Sequence, residues 1–418
     1  MMNAQDMLTL EDAIKIGLEK NYNVIISRNE KSITKAQNNL GAAGMSPTVT
    51  LNANLNLATL NSHQEFSNGT IQDRTSAQSN NTGASVNFNW LIFDGLRMFA
   101  VKKRLNATEK LSDMQLKLQM ENTTYDIILA YYDIVRIGRL IKASRQNLDI
   151  YEERLKIAKL KLDIGSDSKV DLLLTQSDEN KVKSDILKLE QQLLSAKVTL
   201  NNLLSRPVDV DFKATDTIVM NYEPAYEELK KSLVKGNSSI LISMQNELIA
   251  DQTIKEARSF LLPQIQLNGA YNFTRNQSQA GFVFLNQQAG ASGGLTASWT
   301  IFNGMRNKRL MEERQIRLLN QKTLTEMSRL QIDAIAYINY QNFLSNKKIL
   351  QLETDNLKAS QELVNISLER YKIGKANLLE TKETQKNFED AQVRYINALY
   401  DSKRSETELL RANGALVK

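Results

Sequence analysis

The sequence predicts a duplicated α+β membrane protein, with four membrane-type β-strands and two pairs of long coiled-coil helices per chain. Three observations predict it. One offset superimposes the first half of the 418 residues on the second. Four segments alternate strictly between apolar and uncharged polar residues. Long stretches without proline carry apolar residues at 3-4 spacing.

The duplication is read first, because a missed repeat misassigns the whole fold. Trp90-Leu91-Ile92-Phe93-Asp94-Gly95-Leu96-Arg97 recurs as Trp299-Thr300-Ile301-Phe302-Asn303-Gly304-Met305-Arg306, an offset of 209. The same offset carries Tyr131 to Tyr340, Gly165 to Gly374, Asp171 to Glu380, Thr175-Gln176 to Thr384-Gln385 and Leu200 to Leu409. Upstream, Pro47 matches Pro263 at an offset of 216, so the extra residues fall between the proline and the tryptophan. The polar segments 61–83 and 275–293 lie in that interval and are expected as surface loops. The halves are 1–209 and 210–418. The first is predicted to hold a helix over 8–45, strands over 48–60 and 84–93, a long helix over 95–163 and a helix over 168–204. The second repeats this with a helix over 225–261, strands over 264–274 and 294–302, and helices over 304–372 and 377–412. All four prolines (Pro47, Pro207, Pro224 and Pro263) fall outside the long helices.

In the strands, Val49, Leu51, Ala53, Leu55 and Leu57 share one face, with Thr50, Asn52, Asn54 and Asn56 on the other. Val86, Phe88, Trp90 and Ile92 alternate with Ser85, Asn87 and Asn89; the second half repeats the pattern around Ile265–Phe273 and Leu295–Ile301. A sheet packed on a soluble core is one arrangement that gives period two. Runs of about 10 residues instead match a tilted membrane strand. The polar face is uncharged, and Trp90, Phe93, Trp299, Tyr271 and Phe273 lie near the expected strand ends, as in an aromatic girdle. Four strands cannot close alone, and an open sheet edge in lipid leaves backbone groups unpaired. Closure therefore falls to further copies: two would give eight strands with a filled interior, three would give twelve with room for water.

From Leu96 to about Leu162 there is no proline and one glycine, Gly138. Such a helix runs about 100 Å at 1.5 Å per residue. Ile127, Ala130, Ile134, Ile137, Ile141, Ser144, Leu148, Tyr151, Leu155, Ala158 and Leu162 form a heptad seam, and Phe343, Leu350, Leu357, Val364 and Tyr371 recur every seventh residue. Alone, these heptads would suit a coiled-coil scaffold. Joined to membrane-type strands they suggest a helical tube continuing a barrel. Asp94 and Asn303 stand where each strand becomes a helix and are good N-caps. Gly95 and Gly304 let the chain turn there.

Composition excludes much of enzyme chemistry. Cysteine is absent, which removes thiol catalysis, disulfides and Cys-based zinc sites, and is compatible with the periplasm or outer membrane of a Gram-negative cell. The one histidine, His63, lies among Asn, Gln, Ser and Gly and reads as a solvated loop residue. No metal site, cofactor site or phosphate-binding glycine loop is legible. The net charge of +6, from 53 basic and 47 acidic residues, is spread along the chain, without the dense basic patch of a nucleic-acid binder. No segment is apolar enough for a transmembrane helix. Asn3-Ala4-Gln5 resembles the tail left after signal-peptide removal, so a mature chain is expected.

Together these features resemble the TolC family of outer-membrane efflux proteins across essentially the whole chain. The matching marks are Leu10-Glu11-Asp12-Ala13-Ile14 opening the first helix, Leu261-Leu262-Pro263-Gln264 entering a strand, Phe93-Asp94-Gly95 and Phe302-Asn303-Gly304 leaving strands, and Leu203-Leu204-Ser205-Arg206-Pro207 closing the first half. Each is weak alone; their order and duplication carry the resemblance. It implies a homotrimer with a 12-stranded barrel in outer-membrane lipid, a long periplasmic α-helical barrel, and two partners: a periplasmic adaptor and an inner-membrane transporter. The expected function is the passive exit duct of a tripartite efflux system, or of a type I protein secretion system; a coiled-coil scaffold is the alternative of a different class.

The resemblance also places the functional residues. The hairpin tips read Leu162-Asp163-Ile164-Gly165-Ser166-Asp167-Ser168 and Tyr371-Lys372-Ile373-Gly374-Lys375-Ala376-Asn377. Glycine supplies the turn, and Ser168 and Asn377 cap the returning helices. The resemblance makes Gly165, Ser168, Gly374 and Asn377 the adaptor-binding tips, although the glycines could serve the turn alone. Glu380 and Glu383, three apart on one helix face, would form acidic rings at a periplasmic gate; a solvated face is the plainer reading. A closing contact between Asp171 and the Tyr371 hydroxyl is implied. Ala376 stands where the family pattern would place an arginine, which leaves a second link in doubt.

Overall fold

The computed structural model describes residues 7–165, 168–215, 217–220, 222, 224–280 and 283–417. In chain order the elements are β1 (Met7–Leu8), α1 (Leu10–Lys20), α2 (Tyr22–Gln37), β2 (Thr48–Glu65), β3 (Ile71–Phe93), α3 (Arg97–Asp163), α4 (Lys169–Leu203), β4 (Lys213–Ala214), α5 (Tyr226–Gly236), α6 (Ser238–Ser259), β5 (Gln264–Ser278), β6 (Leu285–Ser298), α7 (Arg306–Lys372) and α8 (Leu378–Ala412). The two long helices have 67 residues each and their returning partners 35 each, so the duplication holds to the residue.

The chain forms two compact units, and neither is one of the sequence halves. One contains Met1–Glu30, Asp113–Ile242 and Thr325–Lys418; the other contains Lys31–Ser112 and Ser243–Leu324. The expected boundary at 209/210 therefore separates repeats, not folded bodies: each unit takes matching pieces of both repeats, because a repeat cannot bury its apolar faces alone.

The strand unit is built on an antiparallel sheet in the order β2-β3-β5-β6. Asn54 pairs with Gly83, Gly83 with Thr274, and Thr274 with Gln288, which fixes the register across all four strands. Leu51, Leu57 and Leu295 are 75%, 69% and 69% exposed, and Val49, Leu55, Val86, Trp90, Ile92 and Tyr271 are exposed with them. Apolar side chains this open on a paired sheet are the reverse of a soluble core. Among the described residues β2 and β6 each keep one edge unpaired.

The strands depart from expectation at both ends. The segments 61–83 and 275–293 are largely strand, and His63 stands in β2, bonded through Nδ1 to Asp73 directly across in β3. Both faces are polar there, so apolar alternation fades while the ladder hydrogen bonds continue. Tyr271 and Phe273 consequently lie inside β5, not at its end. β6 stops at Ser298, short of the expected 302, because its partner β5 starts at Gln264 and Pro263 has no N–H to extend the ladder.

The helical unit has two cores related by the duplication. One gathers Ala13, Ile127, Tyr131, Ile134, Leu200 and Leu204; the other gathers Leu229, Leu233, Ala336, Phe343 and Leu409. Their sizes compensate. A Cβ on Gly17 would lie 2.2 Å from Ile127 Cδ1. At the matching positions the large residue is Leu233 and the small one Ala336, both in the second core.

The helices expected over 8–45 and 225–261 are each broken, at Asn21 and Asn237, and the first stops at Gln37, where Asn38-Asn39 and Gly41 turn the chain short of the expected 45. Asn21 Oδ1 accepts the backbone N–H groups of Asn23 and Val24, while Nδ2 donates to Leu203 O at 2.8 Å. Asn237 repeats this with Ser239, Ile240 and Ala412 O. Each asparagine caps one helix and ties down the end of another.

Candidate functional site

The strand-to-helix turns are built alike. Asp94 is buried, and its Oδ1 accepts the Met98 N–H at 3.1 Å; Asn303 Oδ1 faces the Asn307 N–H at 3.5 Å. Gly95 and Leu96 have φ of +70° and +71°, Gly304 and Met305 +67° and +63°. Gly95 is required twice over, since a Cβ there would lie 2.4 Å from Ser259 O, whereas Gly304 has open space. Beside these turns Trp90 Nε1 donates to Met45 O at 2.9 Å and Trp299 Nε1 to Leu261 O at 3.0 Å. The two indoles thus hold the same edge of each repeat, with Phe93 next to the first and half-buried.

At the tips, Gly165 and Gly374 have φ of +73° and +74°. Ser168 Oγ accepts the Asp171 N–H at 3.2 Å and donates to Asp171 Oδ2 at 2.7 Å, a closed capping box. Asn377 Oδ1 accepts the Glu380 N–H at 2.8 Å. Ser166 and Asp167 of the first tip lie outside the described residues.

The two candidate gate carboxylates differ. Glu380 Oε1 pairs with Arg370 Nη1 at 2.8 Å, and the same guanidinium reaches Lys375 O at 3.2 Å. Glu383, one turn on, is exposed and has no ion pair among the described residues. Asp171 Oδ2 closes the Ser168 cap. Tyr371 is buried, with Lys161 Nζ 3.8 Å from its ring centroid.

Several residues that pattern reading did not single out join the hairpins. Lys372 Nζ pairs with Glu153 at 2.7 Å, which together with Glu369 raises the lysine's pKa above its ordinary value. Arg154 is wholly buried; it donates to Gln385 Oε1 at 2.9 Å and Asp178 Oδ2 at 2.7 Å and lies over the Tyr151 ring. Lys382 meets the other oxygen of Asp178 at 2.9 Å. Burial, more than any neighbour, pushes the Glu389 carboxyl and the Tyr151 hydroxyl up. Arg154 stands beside the heptad seam and not on it, and its partners come from two other helices, so no spacing reveals them.

A membrane-type sheet whose outer strands remain open, joined to long hairpin helices, defines the class of outer-membrane channel proteins. The chain belongs to the outer membrane efflux protein family, which matches residues 26–206 and 233–415. The outer membrane efflux protein BepC of Brucella suis biovar 1 is 19% identical over 339 residues, covering 79% of this chain and 72% of that protein. The pyoverdine export outer membrane protein OpmQ of Pseudomonas aeruginosa is 24% identical over 270 residues, covering 63% of this chain and 55% of OpmQ. The Campylobacter jejuni CmeC outer membrane channel shares the fold, with a TM-score of 0.83 and 13% identity over 97% of this chain and 85% of CmeC. These relatives are channel proteins, not enzymes. Among the described residues no helix is long and apolar enough to cross a membrane.

Proposed function

We propose that three copies of this chain form an exit duct in the outer membrane, through which small molecules pass when an inner-membrane pump is joined to the duct by a periplasmic adaptor. The supporting observation is the sheet: one apolar face open to the surroundings and two unpaired outer strands. In lipid, unpaired strand edges are too costly to persist, so further copies complete the wall. The apolar face of β2 runs from Val49 to Leu57. At about 3.3 Å per residue and a 45° tilt it is roughly 19 Å tall, most of the ~25 Å apolar band of an outer-membrane barrel. Trp90 and Trp299 then mark the membrane boundary nearest the helices.

In this reading Gly165, Ser168, Gly374 and Asn377 meet the adaptor. Glu380 and Glu383 ring the periplasmic entrance, and a contact between Asp171 and Tyr371 helps keep it shut. Likeness to proteins named for efflux and export supports outward transport of small molecules. The test is reconstitution of detergent-purified protein into planar lipid bilayers, with the mass of the assembly measured beforehand. A trimer giving discrete conductance steps is expected. A monodisperse, detergent-free monomer with no conductance would overturn the proposal.

A further inference from the structure

A cavity of about 380 Å³ lies between α3, α4 and α8. Leu140, Val182, Leu189 and Val393 give it apolar wall. Two acceptors on different helices are left over along its lining. Asn147, on α3, is 5% exposed; its Nδ2 donates to Gln392 Oε1 at 2.8 Å, but its Oδ1 has no hydrogen-bond partner. Glu389, on α8, is bonded by Tyr151, and its Oε1 is buried without a partner. Arg154 and Lys181 act on that carboxylate only through space. A buried acceptor without a donor is costly, and a charged one more so.

The charges around the cavity say what kind of donor is missing. Among its described lining residues Asp185, Glu389 and Asp390 are acidic and Lys188 alone is basic, and Lys188 is already paired with Asp185 at 2.9 Å. Two open acceptors, an excess of negative charge and an apolar wall together fit a cation that carries N–H donors and a short hydrocarbon tail.

The duplication shows why the space exists. At the offset of 209, Ser144 corresponds to Glu353 and Asp185 to Arg394. In the second hairpin those two long side chains pair at 3.1 Å, and Glu353 also accepts Nδ2 of Asn356, the counterpart of Asn147, at 3.2 Å. The first hairpin has a hydroxyl and a short carboxylate in their places, and both line the cavity. The opening therefore comes from these side chains and not from the spacing of the helices, which the second repeat shares.

We infer that this cavity is a binding site for a small aliphatic amine in its ammonium form. The ammonium donates to Glu389 Oε1 and Asn147 Oδ1, and the alkyl chain lies along Leu140, Val182, Leu189 and Val393. The second hairpin, with its own ion pair in the matching space, has no such site.

The test titrates n-hexylammonium chloride by calorimetry into the full-length protein purified in detergent. Saturable binding at a single site per chain is expected, with a raised melting temperature. 1-Hexanol, which lacks the charge, and hexyltrimethylammonium, which lacks the N–H donors, are each expected to bind about tenfold more weakly or not at all. Glu389→Gln is expected to weaken hexylammonium roughly tenfold, the scale of one charge-assisted hydrogen bond. Asn147→Asp is expected to tighten it several-fold. Ser144→Glu with Asp185→Arg, the pair of the second hairpin, is expected to fill the cavity and abolish binding in a protein that melts no lower than the parent. A parent that shows no saturable binding, hexanol bound as tightly as hexylammonium, or a filled variant that binds like the parent overturns the site. Should the filled variant not fold, Glu389→Gln decides, and an unaltered affinity there overturns it.

Discussion

Asn21 and Asn237 each use one carboxamide for two tasks, capping a helix with the oxygen and holding a distant helix end with the nitrogen. Asn21→Ala and Asn237→Ala are each expected to cost about 1–2 kcal/mol, read as a lowered midpoint in denaturant unfolding. Gly17→Leu is expected to destabilise by about 1–3 kcal/mol through overpacking against Ile127, and Ile127→Ala on the same chain to recover part of it. The second repeat already carries that pairing, with Leu233 and Ala336. For Glu389, burial raises the carboxyl pKa, so the folded state holds the proton more tightly than the unfolded chain does. The resulting penalty is full above the raised value and fades as pH falls through it toward the ordinary 4.5. Glu389→Gln should therefore raise the melting temperature at pH 7, with the gain shrinking as the pH approaches 4.5. Local chemistry was legible where one residue decides it: glycine turns, Ser168 and Asn377 at the caps. Asn21 and Asn237 carry a cap signal too, but unbroken apolar spacing on both sides hid the break.

The strands illustrate what a period can and cannot show. Where one face is apolar, over Val49–Leu57 or Val86–Ile92, alternation located them. Where both faces are polar, over Ser62–Glu65 and Ile71–Gly83, the ladder runs on with no alternating signal, and only the register with the neighbouring strand reveals it. The face itself is testable. Leu55→Arg is expected to cost about 2–4 kcal/mol at mid-membrane and to lower the recovery of assembled protein from membranes. Asn56→Arg, one residue on and on the opposite face, is expected to leave recovery unchanged and to alter conductance instead. The long helices were legible because heptads leave little else to choose. Pairings between hairpins were not, since Arg154, Asp178 and Gln385 come together from α3, α4 and α8.

For the assembled protein, Glu380 and Glu383 are expected to contribute unequally. Glu380 is neutralised in part by Arg370, whereas Glu383 is exposed. Glu383→Gln should shift the reversal potential of single channels in a salt gradient more than Glu380→Gln does, with cation preference falling in both. Duplication, the four long strands and the length of the hairpin helices were readable from the chain because they recur in both repeats, whereas the two-residue strands β1 and β4 are too short to carry a period. The division into two folded units was not, because each unit draws on both repeats. The outer strands β2 and β6 bear on biogenesis as well. If several copies close one wall, as proposed, a solitary chain would offer the bilayer two rows of unsatisfied amides and carbonyls, and insertion would wait until its neighbours arrive. Delivery to the membrane then becomes a many-body event, and its speed should climb far more steeply than linearly with the amount of newly made protein.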